Sequence, residues 1–193
     1  MKYLINLLLI FVINGSAKAD DQFFHAQYTL RDTVASQSEN SNRQGANLTY
    51  GYWLKPGKLL LDVGSQSRTD QWNANKGSYA NRLETAATFI AQTNDIFGVY
   101  LRSAVGQKFT HITDNAYYSL EAGLRAQIQP ELLGRIGYRF RDAFKEDKFD
   151  QTQTFRIAAE YSIDQTSVFT FGMDRSYGDS QFIGYNIGYL KKF

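Results

Sequence analysis

The chain contains no cysteine. That removes disulfide frameworks, thiolate metal sites and thiol redox chemistry together. In 193 residues there are only two prolines, Pro56 and Pro130, and two histidines, His25 and His111. Chemistry that leans on histidine therefore has little to work with. No glycine-rich phosphate loop, dinucleotide fingerprint or metal-ligand cluster occurs, so no cofactor and no metal are expected. Beyond the amino terminus no apolar run approaches the roughly 20 residues that a spanning helix needs. Neither sign of charge dominates, with 21 Lys and Arg against 19 Asp and Glu. Nucleic-acid binding has no support in that balance.

What is present begins with a targeting segment. Met1-Lys2 is a short positive start, Tyr3 to Asn14 is nearly continuous apolar sequence, and Gly15-Ser16-Ala17-Lys18-Ala19 ends in an A-x-A site. This order predicts a secretory signal peptide, residues 1–19, cleaved after Ala19. Residues 20–193 are then expected to form a single domain. Lys2 and Lys18 leave with the signal, so the remainder carries 19 basic and 19 acidic residues. Mean hydropathy is polar at −0.41, yet the chain holds 13 Tyr, 14 Phe and 15 Gly. A soluble β-sandwich and a membrane barrel could share that composition. Placement has to separate them.

From residue 22 onward the chain alternates with period 2. Phe24, Ala26, Tyr28 and Leu30 oppose His25, Gln27, Thr29 and Arg31. Phe97, Val99 and Leu101 oppose Gly98, Tyr100 and Arg102. Ile136, Tyr138 and Phe140 oppose Arg135, Gly137, Arg139 and Arg141. Ten such segments can be counted, each with one apolar and one polar face. The connections alternate as well. Lys55-Pro56-Gly57, Thr93-Asn94-Asp95, Gln129-Pro130-Glu131 and Asp164-Gln165-Thr166 are short and hold both prolines. The others are mostly longer and polar, notably Ala35 to Gly45 and Thr69 to Arg82. Short turns at one end and long loops at the other is the plan of an outer-membrane barrel, with the turns periplasmic. The expected fold is all-β: a closed antiparallel transmembrane β-barrel of about ten strands, with eight or twelve as alternatives. A Gram-negative outer membrane is the expected location.

The energetics set which face meets lipid. An arginine at the bilayer midplane on the lipid face costs ~2–4 kcal/mol. Turning the segment around Arg135, Arg139 and Arg141 would place three arginines there, so the apolar face must point out. Tyr and Phe recur near the segment ends, as interfacial girdles require. The chain ends in Phe193, and Tyr185, Ile187, Tyr189 and Phe193 share a face. A terminal aromatic after an alternating strand resembles the signal read by the barrel-assembly machinery. Lys191 departs from that pattern, at the rim where it can snorkel.

On this register the inward bases are Arg31, Lys58, Arg68, Arg102, Arg125, Arg135, Arg139, Arg141 and Arg156. The inward acids are Asp62, Glu84, Glu121, Glu160 and Asp174. The lumen is net basic, and its bases gather on the fifth to eighth strands. Such a wall concentrates anions and offers forked donors to carboxylates or phosphates. Arg102, Arg125, Arg135, Arg139, Arg141 and Arg156 are therefore the candidate pore-lining, anion-binding residues. Glu84, Glu121 and Glu160 are their counter-charges. Tyr100 and Trp53, on the same face, are candidates for stacking on sugar rings. The alternative is a plugged lumen, in which pairs such as Arg125 and Arg156 with Glu121 and Glu160 fill the interior.

Small size, the opening strand His25-Ala-Gln-Tyr-Thr-Leu-Arg-Asp32 and the aromatic–arginine strand Arg135-Ile-Gly-Tyr-Arg-Phe-Arg141 carry a resemblance. The chain resembles the KdgM-like oligogalacturonate-specific monomeric porins. That family has twelve strands, against ten counted here. The resemblance implies passive uptake of acidic oligosaccharides guided by the six arginines just named.

Two rival readings come from other classes. A barrel enzyme needs a nucleophile within hydrogen-bond reach of a base. His111 with Asp114 and Ser119 supplies the residue types, but no spacing specific to lipid-modifying enzymes or proteases accompanies them, and no catalytic residue is expected. An adhesin would use loop aromatics such as Trp72, Tyr79 and Tyr177 as anchors. The reading preferred is a narrow monomeric porin for small anionic solutes. Its expected partners are outer-membrane lipid, lipopolysaccharide and, through Phe193, the assembly machinery.

Overall fold

The computed structural model describes residues 21–33, 42–70, 79–110, 114–145, 151–179 and 181–193. The expected signal peptide, His111 and Trp72 lie outside these residues. Ten strands form: β1 (Gln22–Thr33), β2 (Asn42–Lys55), β3 (Leu59–Asp70), β4 (Tyr79–Gln92) and β5 (Phe97–Thr110) are followed by β6 (Asp114–Gln129), β7 (Leu132–Ala143), β8 (Thr152–Ser162), β9 (Ser167–Gly178) and β10 (Phe182–Lys192). Each strand pairs antiparallel with its neighbours in sequence. β1 closes the ring on β10, from Phe23 opposite Lys192 to Thr33 opposite Phe182. Closure leaves no sheet edge, the condition for putting strands in hydrocarbon.

The alternation explains the barrel directly. Leu101 and Leu124 are 60% exposed and Ile128 is 62% exposed, all on the outer face. Their neighbours Tyr100 and Glu121 are buried inside. Outer aromatics cluster at both ends of the wall. Tyr118 packs against Phe140 at 6.2 Å and Phe144 at 5.4 Å near the loop end. Phe169 meets Tyr189 edge-on at 5.8 Å near the turn end. Two such belts are what a membrane-spanning barrel places at the two interfaces.

The turns have local causes. Gly57 has φ +68°, a conformation that costs a Cβ-bearing residue. The Asn94 carboxamide oxygen accepts from the backbone N–H groups of Ile96 (2.9 Å) and Phe97 (2.7 Å). Asp164 does the same for Thr166, at 2.7 Å. The start of β1 and the end of β10 lie at this end, where Phe193 N–H donates to the Gln22 carbonyl at 2.9 Å. At the loop end the strands run further than the apolar alternation suggests. β2 begins at Asn42 and β4 at Tyr79, inside segments read from sequence as loops. Backbone ladders continue above the apolar band with polar residues such as Arg43 and Gln44, which pair with Asp70 and Thr69 of β3. Hydropathy is blind to that extension.

Candidate functional site

The interior holds a cavity of about 710 Å³. Its lining runs from Trp53, Pro56 and Pro130 at the turn end to Arg68, Arg141 and Phe182 at the loop end. Arg102, Arg125, Arg135, Arg139, Arg141 and Arg156 all line it, as do Glu84, Glu121 and Glu160. Two further cations line it that the sequence reading passed over, Arg82 and Lys192. Arg82 shares the parity of Glu84 on β4, and that signal was available. Lys58, expected inside, is exposed in the β2–β3 turn. There the register shifts between Trp53 and Lys55, so alternation no longer dictates direction. The lining holds ten Arg and Lys against five carboxylates.

Inner-face glycines make the middle of the lumen possible. Tyr117 of β6 lies flat over Gly106 of β5, where a Cβ would sit 2.6 Å from its ring. Its hydroxyl thereby reaches Glu84 of β4 and donates at 3.0 Å. Tyr100 of β5 likewise lies across Gly123 and Gly137, on the next two strands, and donates to Glu121 at 2.9 Å. Tyr100 is 8% exposed, so it is a packing element of the wall. Its expected role as a stacking platform for sugars does not fit that burial.

Among the described residues every carboxylate that lines the cavity is engaged. Asp62 accepts from both terminal nitrogens of Arg102, one of them at 2.9 Å. Glu84 accepts from Arg102 at 3.1 Å and from Arg139 at 2.6 Å. The Glu84–Arg139 pair joins β4 to β7, a chord across β5 and β6. Glu121 accepts from Arg156 at 2.9 Å, and Asp174 lies 3.5 Å from the same guanidinium. Glu160 pairs with Arg135, which stood outside the expected network of Arg125 and Arg156 with Glu121 and Glu160; of that network the structure shows Arg156 on Glu121. Charge complementarity was legible; which partners meet depends on ring closure.

At mid-height the opposite wall carries amides and hydroxyls. Asn47 donates to Gln27 at 3.0 Å and to Thr29 at 3.1 Å, and Thr29 donates to Asn186 at 2.8 Å. Asn186 reaches Asp174 at 3.3 Å and so ties this amide belt to Arg156. His25 meets Thr170 at 2.9 Å across Gly188. Among the described residues no group of His, Cys, Asp and Glu could hold a metal ion. Asp114 is exposed and Ser119 buried, while His111 lies outside the described residues.

These features define the class: the chain is an outer-membrane β-barrel protein. It matches no protein-family model and no curated protein sequence. Solved structures similar to it are barrels of this kind. An outer-membrane channel from Pseudomonas putida F1 covers 92% of this chain and 97% of its own, with TM-score 0.57 and 10% identity. The β domain of the Bordetella autotransporter BrkA covers 91% and 100%, with TM-score 0.55 and 9% identity. The KdgM porin in complex with disordered oligogalacturonate is among them, covering 89% and 99% at TM-score 0.47 and 12% identity. At such identities the likeness is one of fold.

Proposed function

We propose that the protein is a narrow, monomeric outer-membrane porin for passive diffusion of small anionic solutes, with acidic oligosaccharides among them. The observation that carries this reading is the cavity itself. It is lined from the turn end to the loop end and holds twice as many cations as carboxylates. Those carboxylates are already engaged by arginine or tyrosine, so the surplus is positive charge facing the lumen. A positive lumen with low-dielectric walls concentrates anions. Arg102, Arg125, Arg135, Arg139, Arg141 and Arg156 would guide them, and no catalytic residue is needed. Outward Leu, Ile and aromatic side chains would meet lipid and lipopolysaccharide, and Phe193 would present the strand end to the assembly machinery.

The second reading is a closed barrel. The Arg102–Glu84–Arg139 chord spans the inner face of β5 and β6, narrows the passage there and favours it. Single-channel conductance in a planar bilayer under a salt gradient separates the two, using protein purified from outer membranes. Steady openings with an anion-selective reversal potential are expected. The triple substitution Arg135→Ser, Arg139→Ser and Arg141→Ser should lower that preference. A folded barrel that stays electrically silent would overturn the porin reading, and an unchanged reversal potential in the variant would remove these arginines from the selectivity path.

A further inference from the structure

The outer wall has a depression of about 380 Å³ where β2, β1, β10 and β9 run side by side. Tyr28, Leu48, Phe169, Ile187 and Tyr189 surround it, and Ala26 of β1 lies among them. Ala26 stands between Leu48 on β2 and Tyr189 on β10, so one short side chain between long ones leaves the space. The large side chains around it are all exposed on the outward face.

A charged cluster adjoins the turn end of this depression. The Tyr189 ring lines the depression, and its hydroxyl donates to Ser167 at 3.1 Å. Lys191, the departure from apolar alternation in the last strand, lies two residues further on the same face. Its ammonium donates to Ser167 at 3.0 Å and to Thr166 at 2.7 Å. The Thr166 hydroxyl donates in turn to Asp164 at 2.9 Å. An ammonium and a carboxylate therefore stand one hydroxyl apart, each within the other's field. Neither is saturated. Lys191 spends two of an ammonium's three donors on these hydroxyls. The exposed Asp164 takes the Thr166 backbone N–H and the Thr166 and Ser167 hydroxyls, against about four acceptor sites on a carboxylate.

From the rim toward the midplane the order is charge pair, aromatic girdle, apolar depression. A glycerophospholipid has that same order in its headgroup, glycerol ester and acyl chain. Turns of such barrels face the periplasm, so this surface opens to the inner, phospholipid leaflet. The charge pair chooses among headgroups. Phosphate suits the remaining donor of Lys191. Asp164 beside it repels a purely anionic headgroup and favours a cation able to donate hydrogen bonds. A primary ammonium on a two-carbon arm meets both conditions, whereas a trimethylated one has no N–H to donate.

We propose that the outer face of β1 and β10 binds one phosphatidylethanolamine molecule, with an acyl chain in the depression beside Ala26, the phosphate on Lys191 and the ammonium on Asp164. The site lies outside the lumen, so it goes beyond the porin reading and holds whether or not the barrel conducts.

The test is native mass spectrometry of the delipidated barrel in detergent, titrated with phosphatidylethanolamine, phosphatidylcholine and phosphatidylglycerol of the same acyl chains. One tightly retained phosphatidylethanolamine is expected, favoured about fivefold over each of the others, the worth of one exposed ion pair. Lys191→Gln should lose that retention. Asp164→Asn should abolish the preference over phosphatidylglycerol while leaving the lipid bound. Ala26→Leu, which fills the depression, should weaken all three lipids alike. Glu131→Gln, on the β6–β7 turn across the barrel, should bind as the wild type does. Should Lys191→Gln not fold, the headgroup contrast in the wild type still decides. Equal retention of the three lipids, a preference for phosphatidylglycerol, or undiminished retention in Lys191→Gln would each overturn the site. A barrel that retains phosphatidylethanolamine but does not conduct would keep the site and remove the porin. A conducting barrel without headgroup preference would do the reverse.

Discussion

Replacing Glu84 by Gln should both weaken the barrel and make its lumen more anion-selective. Glu84 receives three donors: Arg139 at 2.6 Å, Arg102 at 3.1 Å and the Tyr117 hydroxyl at 3.0 Å. Arg102 keeps Asp62, so the loss falls mainly on Arg139. Removing one partner of a fully buried pair costs ~3–5 kcal/mol, whereas an exposed pair is worth ~0–1 kcal/mol. Glu84 and Arg139 are each 15% exposed at the side chain, nearer the buried limit. The glutamine carbonyl still accepts one bond, but its amide group turns a donor toward a guanidinium. We expect a loss of ~2 kcal/mol, about 30-fold in the folded-to-unfolded ratio.

Urea unfolding of the barrel in lipid bilayers, at moderate salt, measures that loss. The same preparation in a planar bilayer reports charge: with one carboxylate fewer, the reversal potential should move further toward the anion limit. Raising the salt should shrink the selectivity change more than the stability change, because screening acts on the open lumen before the packed pair. A Gln variant within ~0.5 kcal/mol of wild type would refute the claim that the chord from β4 to β7 braces the barrel. That result would leave Glu84 as one of several solvated lumen charges.

Gly137→Val should cost ~1–3 kcal/mol by overpacking, because its Cβ would overlap the Tyr100 hydroxyl and break the bond to Glu121; equilibrium unfolding checks it. Leu124→Arg, at an outward position that is 60% exposed, should cost ~2–4 kcal/mol in a bilayer if it lies near the midplane. The same substitution should cost far less in detergent micelles, where the surrounding layer deforms around the charge. The Asp164 carboxyl is held down to about 2 by the Thr166 backbone N–H and then by the Thr166 and Ser167 hydroxyls. Its contribution to turn stability is therefore present above its ordinary value of 3.8 and lost as pH falls through about 2. A carboxyl titration followed by NMR should show that low midpoint, and a midpoint near 4 would remove the capping role.

The barrel was legible because two-faced strands have one solution in a bilayer. Once Arg135, Arg139 and Arg141 could not face lipid, the register of β7 was set, and that of its neighbours followed by pairing. Local periodicity also reached the inward parity of every arginine named as lining. It failed where alternation stops carrying information: at Lys58, beside a register shift, and at the loop ends of β2 and β4, where polar residues pair above the apolar band. The pairing of charges was beyond it for a different reason. Glu84 and Arg139 are 55 residues apart in sequence and meet only because the ring closes through β5 and β6. Tyr100 was misread for a similar reason. An inward tyrosine reads as lumen-facing until the glycines on the next two strands let it lie down.

The two levels of the lumen imply different roles for the same residue type. In the middle, arginines are spent on carboxylates, and their net effect is to brace the wall and narrow the passage. At the loop end Arg31, Arg68, Arg82 and Arg141 line the same stretch of lumen, and like charges gathered there raise the local positive field. A passage built this way would take up anions at its outer mouth and pass them over a neutralised middle, where binding is weaker. That order favours transit, because a solute held equally tightly along the whole lumen would not leave it. It follows that weakening the outer cluster should slow entry at low solute concentration while leaving conductance at high salt nearly unchanged. Removing Arg139 or Arg156 should act the other way, by releasing Glu84 or Glu121 into the passage as repelling charges. Solute-concentration series on the two classes of variant would show crossing curves, and parallel curves would mean that the lumen acts as one uniform positive field.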